Sequence, residues 1–424
     1  MDQIEIKPLT GRINAEVRVP GSKSITNRAL LIAAMAPGRS ELEGALFSDD
    51  TRYMIGALER LGFVVEADQA REHIAVEGRG GEIPAHSADL FVGGAGTAMR
   101  FLAGFVTLGR GRFRLDGNAR MRERPIGELI EALDELGISA RTELGNRCPP
   151  VVIDMSSGAF EGGSCAIDAS RSSQFVSALL LPAPLWPKGL TLKVSGAAGR
   201  PFVDMTLKLM GVWGANSRAE GDAIVVSGGQ SYAARRFTIE GDASGASYFA
   251  AAAALCGGSV RFANLATDSV QGDAAFMDLL ETMGAKLIRR RDSLEIRGDG
   301  KFCGVDADMS TMPDVVPTLA TIAPFAESPT RIRNVAFIRH HESDRLHALA
   351  TELCRLGAKV DESEDGLLIQ PSKLKPAAIE TYDDHRIAMA FAVVGLKLPG
   401  VRITNPGCVA KTYPDFFKDL AALG

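Results

Sequence analysis

Read for hydrophobic periodicity, the chain repeats itself. An amphipathic segment ending in Gly after Leu, Met or Trp occurs six times: YMIGALERLG closing at Gly62, ELIEALDELG at Gly137, TLKLMGVWG at Gly214, FMDLLETMG at Gly284, LATELCRLG at Gly357 and FFKDLAALG at Gly424. Each predicts a helix with one apolar face, stopped by a left-handed glycine. Between them lie six segments that are apolar on every side and rich in small residues: RALLIAAMA, AMRFLAGFV, QFVSALLL, ASYFAAAAALC, VPTLATIAPFA and IAMAFAVVGL. With no polar face at helical spacing, these predict buried helices. Each is followed by a Gly or Pro turn and a short strand such as GRFRLDG or PTRIRNV, and five of the six units then add a two-stranded segment such as KLIRR with SLEIRG.

The sixth unit ends at Gly424 without its strand pair, while IEIKPL and INAEVRV at residues 4–19 precede the first unit. They read as an orphan hairpin that closes the last unit. The chain is therefore expected to form six β-α-β-α-β-β modules, three per domain. The first domain spans 21–240 and the second combines 1–20 with 241–424. Two chain crossings side by side make a hinge, and the ligand site is expected in the cleft between the domains.

Composition narrows the function. With 46% hydrophobic and 23% charged residues, the 424-residue chain is neither disordered nor a membrane bundle. Its longest apolar run, Tyr248 to Cys256, is far below the roughly 20 residues that span a bilayer, and its start lacks a signal pattern. A cytoplasmic protein without membrane attachment is expected. A net charge of −5 gives no overall positive field for nucleic acid, so any anion site is local. Six dispersed cysteines suit reduced thiols. GSKS lacks the P-loop glycines, GGAGTAM lacks the dinucleotide fingerprint, and HESDR lacks a second histidine for zinc.

The helix entrances hold the unexplained residues. Gly, Ser, Thr, Asp and Pro serve any helix start, but Lys23, Arg28, Arg124, Arg345, Arg386 and Lys411 oppose the helix dipole there. Six cations at equivalent places in a repeat predict anionic ligands carrying phosphate or carboxylate. Among them stand Asp314, Glu342 and Asp384 with His385, the candidate proton-transfer groups.

From PGSKSITNRALLIAA through AGTAMR, RMRERPIG, SSQFVSALL, GDASGASYF, MPD, ESDRL and DDHRIAMAF to PGCVAKTYPDFF, the whole chain resembles the 5-enolpyruvylshikimate-3-phosphate synthase family of enolpyruvyl transferases. The resemblance implies an α/β, two-domain inside-out barrel. It also implies transfer of the enolpyruvyl group of phosphoenolpyruvate to the 5-hydroxyl of shikimate 3-phosphate, releasing phosphate, by a monomer with no metal or organic cofactor. Carried over by position, Lys23, Ser24, Arg28, Ser172, Ser173 and Gln174 would hold shikimate 3-phosphate. Lys23, Gly96, Arg124, Gln174, Arg345, Arg386 and Lys411 would hold phosphoenolpyruvate. Asp314 would be the base and also touch the acceptor, Glu342 would deliver the carbon proton beside Lys23, and Asp384 and His385 would support the phosphate end. Retention of Gly96 implies sensitivity to glyphosate.

Four positions depart from the family pattern: His341 for Lys, Phe202 for Tyr, Gly94 for Asn and Phe337 for Asn. They touch the acceptor side, where Arg200 stands to compensate. A His341 that loses its charge as pH rises predicts weaker shikimate 3-phosphate binding between pH 6 and 8. The rival readings are transfer to UDP-N-acetylglucosamine or a specialised acceptor, and a non-catalytic anion-binding repeat protein. The loop DGNARMRERP lacks the cysteine usual in the UDP-N-acetylglucosamine branch.

Overall fold

A computed structural model describes residues 2–158, 160–196, 199–290 and 293–424. The twelve segments that read as helices are helical: α1 (Lys23–Met35), α2 (Asp49–Arg60), α3 (Gly96–Phe105), α4 (Gly127–Glu135), α5 (Ser173–Leu180), α6 (Arg200–Val212), α7 (Ala243–Cys256), α8 (Phe276–Met283), α9 (Val316–Ile322), α10 (Arg345–Arg355), α11 (His385–Gly395) and α12 (Phe416–Ala421). The glycines at 62, 137, 214, 284 and 357 take positive φ, as a helix stop requires. Side-chain caps set several starts: Ser172 for α5, Asp242 for α7, Asp344 for α10 and Asp384 for α11 each accept a backbone N–H of the first turn.

The chain folds as two compact units, Gly21–Ile239 and Met1–Pro20 with Glu240–Gly424. In the Gly21–Ile239 unit, α3 packs on both α1 and α5. Gly104 makes the second contact possible, since a Cβ there would lie 1.9 Å from the Ala178 carbonyl oxygen. In the other unit α7, α9 and α11 pack pairwise. Thirteen of the fourteen residues of α7 are buried, and its five consecutive alanines let neighbouring backbones approach closely. Larger side chains there would overpack the core at about 1–3 kcal/mol each.

Sheets flank these helices. In the module of α3 and α4 the strand order is Ser87–Phe91, Arg112–Asp116, Val151–Asp154, Ser139–Thr142, the first pair parallel and the rest antiparallel. The same pattern recurs for α5 with α6 and for α9 with α10.

The N-terminal strands depart from the expected hairpin. Gln3–Glu5 does join the last module, antiparallel to Arg402–Thr404. Ile13–Val17 instead pairs in parallel with Gly258–Phe262, as the leading strand of the α7 module. Arg236–Thr238 plays the same part for the first module, pairing in parallel with Glu41–Glu43. Each unit thus takes the leading strand of its first module from a distant part of the chain. The two N-terminal strands separate because the leading position beside Gly258–Phe262 would otherwise leave a row of unpaired backbone groups.

Among the described residues no helix is long and apolar enough to cross a membrane, and all six cysteines are free thiols.

Candidate active site

The predicted residues fall into two groups, one on each unit. The Glu240–Gly424 segment carries the denser one. Arg345, at the first position of α10 and 1% exposed, uses all five guanidinium N–H groups. Nε donates to Asp384 Oδ2 at 2.8 Å, and Nη2 to Glu342 Oε2 at 2.9 Å and Asp384 Oδ1 at 3.3 Å. Nη1 donates to Asp314 Oδ1 at 3.0 Å and to His341 Nδ1 at 3.0 Å. Asp314 Oδ2 accepts from Arg386 Nη2 at 2.7 Å, and Glu342 Oε1 from Lys411 Nζ at 3.0 Å. Three carboxylates and three cations therefore form one bonded network with balanced formal charge.

The elements explain the convergence. Asp314 sits in the 3-10 turn Pro313–Val315 before α9, Glu342 three residues before α10, and Asp384 at the cap of α11. Asp384 spends one oxygen on the Arg386 N–H at 2.9 Å and also accepts from Ser343 Oγ at 3.0 Å. It is fully buried beside His385, whose Nδ1 lies 3.8 Å away. Burial alone would depress the Arg345 guanidinium, but Asp384, Glu342 and Asp314 more than reverse this and hold it above the ordinary arginine range. Arg386 behaves alike: burial opposes its charge, and Asp314, Tyr248, Asp242 and Asp273 overcome that. Asp314 keeps 19% of its side chain exposed, Glu342 15% and Lys411 17%. These groups, unlike Arg345, remain open to a ligand.

The Gly21–Ile239 unit carries the second group. Lys23, at the first position of α1, meets the buried Asp50 with Nζ to Oδ2 at 3.2 Å. Arg28, 2% exposed, donates to Thr206 Oγ1 at 2.8 Å, the Ser24 carbonyl at 2.9 Å, the Phe202 carbonyl at 3.1 Å and Ser177 Oγ at 3.3 Å. It lies over the Phe101 ring at 4.9 Å, and burial pushes its guanidinium down to about 9. Gln174 Nε2 reaches Thr97 Oγ1 at 3.4 Å, and Ser172 caps α5 ahead of the buried Ser173. Arg124 is 8% exposed and donates from Nη1 to the Gly94 carbonyl at 3.4 Å. Arg200 is exposed and paired with Asp204 at 3.2 Å.

The anions facing these cations are thus largely the protein's own: carboxylates hold Lys23, Arg345, Arg386 and Lys411. Two participants, Asp50 and Asp273, escaped the sequence reading. Asp273, in the 3-10 turn before α8, is 4% exposed and accepts from Ser244 Oγ. Burial and then the Asp314 charge raise its carboxyl to about 7, against Arg386 and the Ser244 hydroxyl. A carboxyl raised in the folded state favours folding at low pH and loses that contribution as pH climbs from about 4 through about 7. Asp273→Asn should therefore gain stability relative to the native chain between pH 5 and 8, by on the order of 1–3 kcal/mol. Parallel melting curves of the two proteins across that range would count against the raised carboxyl. Among the described residues no group of three or more His, Cys, Asp or Glu side chains is placed to hold a metal ion.

Comparison with known proteins adds the family. The family model of EPSP synthase (3-phosphoshikimate 1-carboxyvinyltransferase) matches residues 8–420. The chain belongs to this family. It is 48% identical over 419 residues to the 3-phosphoshikimate 1-carboxyvinyltransferase of Trichormus variabilis, covering 98% of each protein. To the protein of that name from Marinomonas it is 43% identical, covering 99% of this chain and 98% of the relative. The solved EPSP synthase of Acinetobacter baumannii superposes with a TM-score of 0.83 at 25% identity, covering 99% of this chain and 98% of that one. The chain is accordingly a transferase of the shikimate pathway with the inside-out α/β fold of that family, and its substrates are phosphoenolpyruvate and shikimate 3-phosphate.

Proposed function

We propose that the two residue groups serve one reaction, in which Asp314 takes the 5-hydroxyl proton of shikimate 3-phosphate and Glu342 protonates the methylene carbon of phosphoenolpyruvate. The observation that carries this reading is the bonded network around Arg345. Asp314 is ionised there, since both its oxygens accept from guanidinium groups, and a base needs that state. Glu342 lies next to Lys411 and Arg345. With three carboxylates against three cations the network is neutral, and adding the proton Glu342 must deliver leaves one net positive charge. That balance suits an incoming anion.

As Asp314 takes the hydroxyl proton and Glu342 protonates the methylene, the 5-oxygen bonds to C2 of phosphoenolpyruvate and gives a tetrahedral adduct. Loss of a methyl proton back to Glu342 then restores the double bond as the C2–O bond to phosphate breaks, and phosphate leaves with the proton held by Asp314. Arg124, Arg386, Lys411 and Lys23 are the cations assigned to the phosphate and carboxylate of phosphoenolpyruvate; Arg345, expected among them from the sequence, has every N–H bonded within the protein and is assigned instead to holding the carboxylates. Arg28, Ser24, Ser172, Ser173 and Gln174 are assigned to shikimate 3-phosphate. Side chains supply acid, base and counter-charge, so the reading routes no step through a metal or organic cofactor. We assign action to the monomer, in the cytoplasm.

The decisive assay is phosphate release from phosphoenolpyruvate with shikimate 3-phosphate, shikimate or UDP-N-acetylglucosamine as acceptor. Release with the first alone supports the reading; release with another acceptor overturns it. A second test concerns Gly96. A Cβ there would stand 2.7 and 2.8 Å from the Arg124 Nη atoms, and the single long contact of Arg124 to Gly94 offers little resistance. Gly96→Ala should displace the guanidinium and raise the KM for phosphoenolpyruvate about tenfold, with the shikimate 3-phosphate KM nearly unmoved. Equal changes in both would detach Arg124 from the donor substrate.

A further inference from the structure

Four of the five Arg345 N–H groups go to carboxylates, and the fifth goes to the imidazole of His341. We propose that His341 is a positioning residue for Arg345: its Nδ1 takes the one guanidinium N–H that no carboxylate holds, and so fixes how Arg345 faces Asp314 and Glu342. The geometry is direct. Nη1 stands 3.0 Å from His341 Nδ1 and 3.0 Å from Asp314 Oδ1, so the same nitrogen bridges the imidazole and the base. A guanidinium only donates. Nδ1 therefore presents its lone pair, and the ring is neutral with its proton on Nε2.

Phe337 completes the device. Its ring meets the imidazole edge-on, centroids 6.0 Å apart at 63°, which restrains the imidazole plane and with it the direction of the lone pair. The need for such an acceptor follows from burial. Arg345 is 1% exposed, so an N–H that lost His341 would have no water to turn to, and the guanidinium would rotate to satisfy it. A rotation would shift Nη1 from Asp314 and Nη2 from Glu342, misplacing both proton-transfer groups at once. Small misplacements of this kind lower turnover more than they lower binding. The assignment gives His341 a part opposite to the one its side-chain charge suggests: it acts as a neutral acceptor, and its protonation would set two cations against each other.

The inference rests on the reading that Arg345 and Asp314 serve the transfer reaction, so its test has one arm independent of turnover. In the full-length protein labelled with 15N-histidine, the His341 signal should show an unprotonated Nδ1 and a protonated Nε2 at pH 7.5; a proton on Nδ1 would overturn the proposal. In the kinetic arm, His341→Leu should lower kcat about tenfold or more while moving either KM less than threefold. His341→Asn, whose Oδ1 can stand where Nδ1 does, should recover most of that loss. Leu and Asn variants that both match the native chain, or that lose kcat equally while melting normally, would overturn it. If the native chain releases no phosphate at all, the transfer reading fails, and the tautomer alone decides whether His341 orients Arg345.

Discussion

Asp314→Asn is expected to reduce turnover by about 10²–10⁴-fold, the range general-base catalysis supplies, without weakening the binding of either substrate. The two halves of that statement have separate causes. Removing the carboxylate removes the acceptor for the hydroxyl proton, and no other described carboxylate of the network is both bonded to two guanidinium groups and 19% exposed. It also removes one negative charge from a network of three carboxylates and three cations, so that anionic substrates meet one more net positive charge than in the native chain. The amide cannot accept at both positions, so its NH2 faces either Arg345 or Arg386, and some stability is lost. KM and kcat should thus move apart: kcat falls steeply while the dissociation constants, measured by quenching of intrinsic fluorescence, stay level or tighten. A variant with near-native turnover would remove Asp314 from the proton transfer. Turnover and affinity falling together would make it a structural anchor only.

The local architecture was legible because it is written in short-range physics. Amphipathic helices, glycine stops and uniformly apolar segments are properties of 10 to 15 consecutive residues, and the helices appear where those patterns lie. Strand partnership is different in kind. Ile13 pairs with residue 258 and Arg236 with Glu41, and nothing in the alternation of INAEVRV says which of several leading positions it will fill. The hairpin expectation failed for that reason.

The site divides in the same way. Lys23, Arg345, Arg386 and Lys411 stood out because a cation at a helix start needs a compensating anion. Asp50 and Asp273 did not stand out, since an acid in the first turn of a helix or beside it is what the dipole favours anyway. Only the folded chain places Asp50 on Lys23 and lets Arg386 feel the charge of Asp273. Arg28 marks a further limit of the argument from dipoles: four of its N–H groups are met by hydroxyl and carbonyl oxygens of its own unit, an environment no spacing rule announces.

Replacing Arg345 should have the largest effect on stability. Arg345→Met keeps the length of the side chain but leaves Asp384, Asp314 and Glu342 without the cation that bonds all three. Breaking a buried ion pair from one side costs about 3–5 kcal/mol, and Asp384, fully buried with bonds to both Nε and Nη2 of Arg345, loses most. That corresponds to a melting temperature lower by roughly 10 °C for a unit of this size. The sign of the pH dependence follows from the charges left behind. In the native chain the raised Arg345 contributes its stability fully anywhere below the ordinary arginine range, so the native melting temperature owes no slope to it near neutrality. In the variant, desolvated carboxylates without a partner take up protons more readily. The deficit against the native chain should therefore be greatest near pH 8 and shrink toward pH 5. Differential scanning calorimetry at the two pH values decides it. A deficit that stays constant would mean either that packing of the guanidinium, and not its charge, holds the three acids together, or that the acids already carry protons in the native chain, which would take from Asp314 its standing as the base.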